Sequence, residues 1–171
     1  MSRDDVLAAV TRWVAYARRC CPDVEFSAED ATRTDRDFLA RVVSAAIAAG
    51  ATTINIADTV GYAMPSEIAQ TIRFLRDSVR QADAVAFSVH THDDLGMALA
   101  NALSAVAAGA TQVECTVNGI GERAGNCALE VVMSLRTRSD YYQCETRFEP
   151  AAIARLSRLV AKRHRYAGAK K

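Results

Sequence analysis

Four short stretches of this chain alternate polar and apolar residues, and each is separated from the next by a segment with helical period. They are Val24 to Ala28, Ile54 to Ala57, Ala84 to Val89 and Val113 to Val117. Successive side chains of a strand point to opposite faces, so the alternation assigns every residue a side. One side carries Val24 and Phe26; Ile54 and Ile56; Phe87 and Val89; and Val113, Cys115 and Val117. Followed slightly past each stretch, the other side carries Glu25, Ser27 and Glu29; Asn55, Ala57 and Thr59; Ser88, His90 and His92; and Glu114, Thr116 and Asn118. An open sheet covered by helices on both faces reads as nearly continuous apolar runs, whereas a barrel with a reaction site at its mouth gathers polar residues at the carboxyl ends of its strands. The pattern therefore predicts an α/β chain of (β/α) barrel material, with parallel strands joined by right-handed crossovers. Such a barrel closes with eight strands. Only four are visible, so the sequence reads as half a barrel.

The segments between the strands carry helix signals. Arg3 to Arg19 places Val6, Val10, Trp13 or Val14, and Ala17 on one stripe, with Asp4 and Asp5 at the positive end of the helix dipole. Cys21, Pro22 and Asp23 stop it. Thr34, three residues before Asp37, resembles an N-cap for a helix that runs to Gly50. Pro65 suits a first helical turn, and Ile68, Ile72 and Leu75 or Val79 form the buried stripe behind it. Further helices are expected from Leu95 to Ala108, ended by Gly109, and from about Ala128 to Leu135. Ala48-Ala-Gly-Ala-Thr52 recurs as Ala107-Ala-Gly-Ala-Thr111, which predicts equivalent helix-to-strand turns in two units of one architecture.

Half of the 171 residues are hydrophobic and the formal charge is +1, enough core for one globular domain. The basic residues concentrate only at Lys162 to Arg165, Lys170 and Lys171, which read as a solvated end and give no nucleic-acid surface. No apolar run reaches the length of a membrane span, and the first residues lack a secretory pattern, so a cytoplasmic location is expected. The five cysteines show no CxxC spacing and read as reduced structural thiols.

His90 and His92 lie one residue apart at the end of the third strand and so project to one side, which makes them candidate metal ligands. Two polar residues ending a strand at an exposed loop would read the same way. Taken alone, Glu29 fits a solvated loop acid, Thr59 a turn residue and Asn126 a helix N-cap.

The runs Val24 to Arg33, Ala57 to Gly61, His90 to Gly96 and Asn118 to Asn126, taken together and in this order, resemble the isopropylmalate synthase branch of the metal-dependent acyl-CoA condensing and cleaving TIM-barrel enzymes. The resemblance spans Arg3 to Thr146. It implies a partial (β/α)8 barrel with strands five to eight in residues 1–146, the C-terminal half, and a helical, basic tail in 147–171. It further implies that His90, His92 and Asn126 hold a divalent metal (zinc, manganese or magnesium), that Glu29 is a catalytic acid and that Thr59 holds the substrate carboxylate. The implied reaction is a Claisen-type condensation of acetyl-CoA with 2-oxoisovalerate in leucine biosynthesis. Related homocitrate or citramalate synthases and acyl-CoA lyases are the alternatives, as is a non-catalytic half-barrel that binds metal or a partner. The family's first-strand Arg-Asp pair, which supplies a further metal ligand, has no counterpart in this sequence. The chain alone is therefore expected to be inactive, and to seek a second copy or a polypeptide with the first half of the barrel; no nucleic acid or membrane partner is expected.

Overall fold

The chain lays down four parallel strands in sequence order: β1 (Glu25–Ala28), β2 (Thr53–Asp58), β3 (Ala86–Thr91) and β4 (Gln112–Glu114). They are seen in a computed structural model that describes residues 1–146 and 148–164. Parallel neighbours require long crossovers, supplied here by α2 (Arg36–Ala48), α3 (Pro65–Ser78) and α4 (Ala98–Ala107). Helix α1 (Arg3–Cys20) precedes β1, and α5 (Val131–Thr137), α6 (Ser139–Tyr142) and α7 (Pro150–His164) follow β4.

Register carries the strand alternation across the sheet. Ser27, Asn55, Ser88 and Gln112 form one row and Ala57, His90 and Glu114 the next, while Phe26, Ile54 and Phe87 form a row on the opposite face. The apolar face is packed under the helices: Ile54, Ile56, Phe87 and Val89 are fully buried against Val43, Ile68, Ile72 and Leu75. The polar face is concave. Although β1 and β4 are not neighbours, Gln112 Nε2 donates to Glu25 Oε2 at 2.7 Å, which only a strongly curled sheet allows. An arc of this kind is what barrel material predicts, and within the described residues β1 and β4 are its two edges.

The repeated pentapeptide forms equivalent turns. Gly50 and Gly109 both adopt φ +108°, and Ala51 and Ala110 donate back to the carbonyls of Ala46 and Ala105 at 3.0 and 2.9 Å. These are helix ends closed through a left-handed residue, which glycine adopts without strain. An arginine lies over each: a Cβ on Gly50 would meet Arg18, and one on Gly109 would meet Arg76. The helices are correspondingly paired, α1 on α2 and α3 on α4, with much less contact between α2 and α3.

Several local expectations shift. Helix α2 is capped by Asp35, whose carboxylate accepts from Phe38 N at 2.9 Å; Thr34 instead donates to the Asp30 carbonyl and closes a 3-10 turn. On α1 the buried residue is Val14, leaving Trp13 and Tyr16 stacked edge to face outside. Helix α4 begins at Ala98, because Gly96 turns at φ +70° and Asp93 Oδ1 accepts from Ala98 N at 3.0 Å. Helix α5 begins at Val131 rather than Ala128, because Ala128 forms a bridge with Thr116. Strand β4 ends at Glu114, and the chain continues as a 3-10 turn, Val117–Gly119, with Asn118 at φ 61°. Asn118 consequently leaves the strand's polar row, and its amide donates to the Ser157 carbonyl of α7 at 3.1 Å. Helix α7 buries Ile153. The basic residues Lys170 and Lys171 lie outside the described residues, and no described helix is long and apolar enough to cross a membrane.

Candidate metal centre

The carboxyl ends of β2 and β3 and the loop after β4 converge on one cluster. Strand period alone puts His90 and His92 on one side, and their rings meet with Nε2 atoms 3.4 Å apart. Asn126 reaches them because its loop folds back onto β3. His92 and Asn126 form an antiparallel bridge, Asp93 N donates to the Gly125 carbonyl at 2.9 Å, and Cys127 N donates to the Thr91 carbonyl at 3.0 Å. Asn126 Nδ2 then lies 3.1 Å from His90 Nε2. Gly121 and Gly125 permit this course. A Cβ on either would overlap the Asn126 side chain or the Gly119 carbonyl, respectively.

The hydrogen bonds define which ring nitrogens are free. His92 Nδ1 faces the Asp58 carbonyl at 3.0 Å. A carbonyl can only accept, so Nδ1 carries the proton and Nε2 presents a lone pair. His90 Nδ1 bonds the Glu114 carboxylate, which leaves its Nε2 bare as well. Glu114 is suited to accept. Burial pushes its carboxyl upward, but hydrogen bonds to Glu25 and His90 outweigh this and hold it below its ordinary range. The adjoining Glu25 is raised, by burial first and then by its hydrogen bond to Glu114.

Two lone pairs thus face each other at 3.4 Å, an arrangement that repels unless a cation or proton lies between them. The amide beside them has an unused oxygen: Asn126 Oδ1 is buried and has no partner among the described residues. Rotating the amide by half a turn exchanges Nδ2 for Oδ1 and gives the cluster three donors, two imidazole nitrogens and one oxygen, a set that suits zinc or manganese. The residues fit a divalent metal. Among the described residues no three His, Cys, Asp or Glu side chains group to hold one; His90, His92 and Asn126 are the residues that would hold it.

The other expected site residues stand around the cluster, not in it. Thr59 Oγ1 accepts from Asp30 N at 2.7 Å, which leaves its hydroxyl proton free to donate, and its carbonyl accepts from Arg123 at 2.8 Å. Glu29 is exposed at the end of β1 and has no hydrogen bond to the cluster. Three supporting features were absent from the sequence-level site. Glu114 and the Asp58 carbonyl orient the two histidines. Arg123 makes paired bonds of 2.8 and 2.9 Å to Asp94, tying the loops after β2, β3 and β4 together. The side on which Glu114 lies was legible from the alternation of its strand, but its pairing with His90 comes from the register of β3 against β4.

A curled parallel β/α arc with a histidine and amide cluster at its strand ends defines a class, and the comparisons give the class a family. The chain belongs to the HMGL-like family, whose profile matches residues 1–160. Its relatives within that family include the 2-isopropylmalate synthase of Rhodopirellula baltica, 55% identical over 163 residues, and that of Caulobacter vibrioides, 56% identical over 162. These alignments cover 95% and 94% of this chain but 31% of each relative, so the chain spans about a third of their length. Among solved structures, hydroxymethylglutaryl-CoA lyase from Pseudomonas aeruginosa matches with a TM-score of 0.79 at 19% identity, over 100% of this chain and 59% of that one. The N-terminal domain of a putative aldolase from Bacteroides vulgatus matches at 0.72 and 18% identity, over 97% of this chain and 54% of that one. These likenesses support the barrel fold.

Proposed function

We propose that this chain is the metal-holding half of a 2-isopropylmalate synthase barrel, β1 to β4 being barrel strands five to eight in residues 1–146, with 147–171 as an appended tail. The observation that carries the reading is the convergence of the unprotonated Nε2 atoms of His90 and His92 with Asn126, whose buried amide oxygen has no partner among the described residues. The 55% identity to 2-isopropylmalate synthases supports the choice of substrates, acetyl-CoA and 2-oxoisovalerate, in leucine biosynthesis; a cytoplasmic location is part of the same proposal. A divalent ion held there would supply a Lewis acid to polarise the 2-oxo acid carbonyl.

The chain's own groups have separate tasks. Thr59 donates its free hydroxyl proton to the 2-oxo acid carboxylate, and the Arg123 bridge fixes Thr59 relative to the Asn126 loop. Glu29, just past the carboxyl end of β1, would serve as the catalytic acid. The edges at β1 and β4 need strand partners, and a polypeptide carrying the remaining barrel strands, or a second copy of the chain, would supply them.

The test is CoA release from acetyl-CoA and 2-oxoisovalerate, followed with a thiol reagent. The chain alone should give none, and adding a polypeptide with the other four strands should restore turnover that His92→Ala removes. Turnover by the 171-residue chain alone at an ordinary enzyme rate would overturn the division of labour.

A further inference from the structure

We propose that Glu114 is the positioning residue of the cluster: its carboxylate holds the proton of His90 on Nδ1 and so keeps the His90 Nε2 lone pair turned toward His92 and Asn126. The purpose of this device rests on the metal reading above; its existence can be tested without metal.

The two histidines are oriented by unlike means. His92 is fixed by a backbone carbonyl, which no side-chain substitution at position 58 removes. Among the described residues, His90 Nδ1 has only the Glu114 carboxylate. The contact follows from register, because His90 and Glu114 are direct partners across β3 and β4. Glu114 is itself buttressed. It lies against Glu25, and Glu25 is anchored at 2.7 Å by Gln112, two residues before Glu114 on the same side of β4. The chain Gln112, Glu25, Glu114, His90 thus crosses the concave face and ends at the cluster. Without an acceptor at Nδ1, the imidazole is free to carry its proton on Nε2. That N–H would point into the space shared with His92 Nε2 and abolish one donor. A carboxylate behind a ligating imidazole also strengthens it as a ligand, and loss of such a partner commonly costs about 10–100-fold in metal affinity.

The experiment uses the full chain with 15N-labelled histidine, at a pH where the imidazoles are neutral. In the wild type, nitrogen shifts should show His90 protonated at Nδ1. Glu114→Ala should move the proton toward Nε2 and weaken zinc binding, measured by calorimetry, by about 10–100-fold. Glu114→Val, equally without an acceptor and compatible with a strand, makes the same test should alanine lower the melting temperature. Glu114→Gln keeps an acceptor oxygen and should retain the tautomer. A His90 that stays protonated at Nδ1 in the Ala and Val variants overturns the role of Glu114. A wild-type chain that ignores zinc overturns the metal reading instead, and the tautomer measurement still decides the role of Glu114.

Discussion

Replacing Gly121 by alanine should disarm the cluster without touching a ligand. Its φ lies outside the left-handed region and the residue is exposed, so alanine adds neither backbone strain nor a burial change. Its Cβ, however, would stand 2.5 Å from Asn126 Cγ, nearer still to Oδ1, and 3.0 Å from the Asn126 backbone nitrogen. The amide must retreat by about an ångström to reach ordinary contact, roughly twice the half-ångström tolerance of a functional constellation. The expected result is the loss of one donor, a rise of about 10–100-fold in the zinc dissociation constant, or about 1.4–2.8 kcal/mol. Calorimetry on Gly121→Ala, Asn126→Ala and the double variant reads this directly, with the thermal midpoint as control. Because both changes remove the same donor, the double variant should be no weaker than either single one. Unchanged binding in Gly121→Ala, or a second full loss in the double variant, would refute the assignment of Asn126 as a ligand.

Two buried positions should respond with opposite sign. Ile56→Ala should cost about 2–5 kcal/mol in urea unfolding, since Ile56 is fully buried in the core. Ser88→Ala should be neutral or slightly stabilising, because the Ser88 hydroxyl is buried with no partner among the described residues. Asp5 caps α1 by accepting from Ser2 N at 2.9 Å, and the Ser2 hydrogen bonds hold its carboxyl below the ordinary 3.8. That stabilisation is present above 3.8 and is lost as pH falls through the lower folded value; circular dichroism of α1 should show an acid limb that Asp5→Asn removes. Burial first, then the nearby Cys115, pushes the Cys127 thiol to about 12. Thiol labelling at pH 8 should therefore modify the exposed Cys20 and Cys21 quickly and Cys127 only on unfolding.

The strand alternation made the architecture legible. Side-chain period is a property of the strand itself, so Ile54, Ile56, Phe87 and Val89 could be assigned to the buried face before any pairing was known. The same reasoning put His90 and His92 together. It could not anticipate the partner of His90, because Glu114 comes opposite by cross-strand register, which a single strand does not encode. Asn118 was misplaced for a related reason. Extending the alternation past Glu114 assumed a longer strand, whereas Gly119, Gly121 and Gly125 let the loop turn back and bond to the end of β3. The cap of α2 moved by one residue because Asp35 accepts more strongly than Thr34, and both are capping types. Glu29 and Thr59 lie at strand ends as the alternation predicts, and Thr59 is held there by Asp30 N and Arg123.

The coupling of helices in twos, each pair sealed by an arginine over a glycine, makes the arc unevenly stiff. Contact between α2 and α3 is thin beside that within either pair. On the sheet side the same boundary is spanned: all four residues of β1 pair with β2, Asp30 N donates to Thr59 Oγ1, and Gln112 donates to Glu25. All three cluster donors, with Glu114 and the Asp58 carbonyl, are carried on the far side of that boundary. Glu29 rides on the near side. The gap between that acid and the donor set is therefore held by those contacts at the strand ends and not by helix packing, as a latch holds a jaw whose hinge is loose.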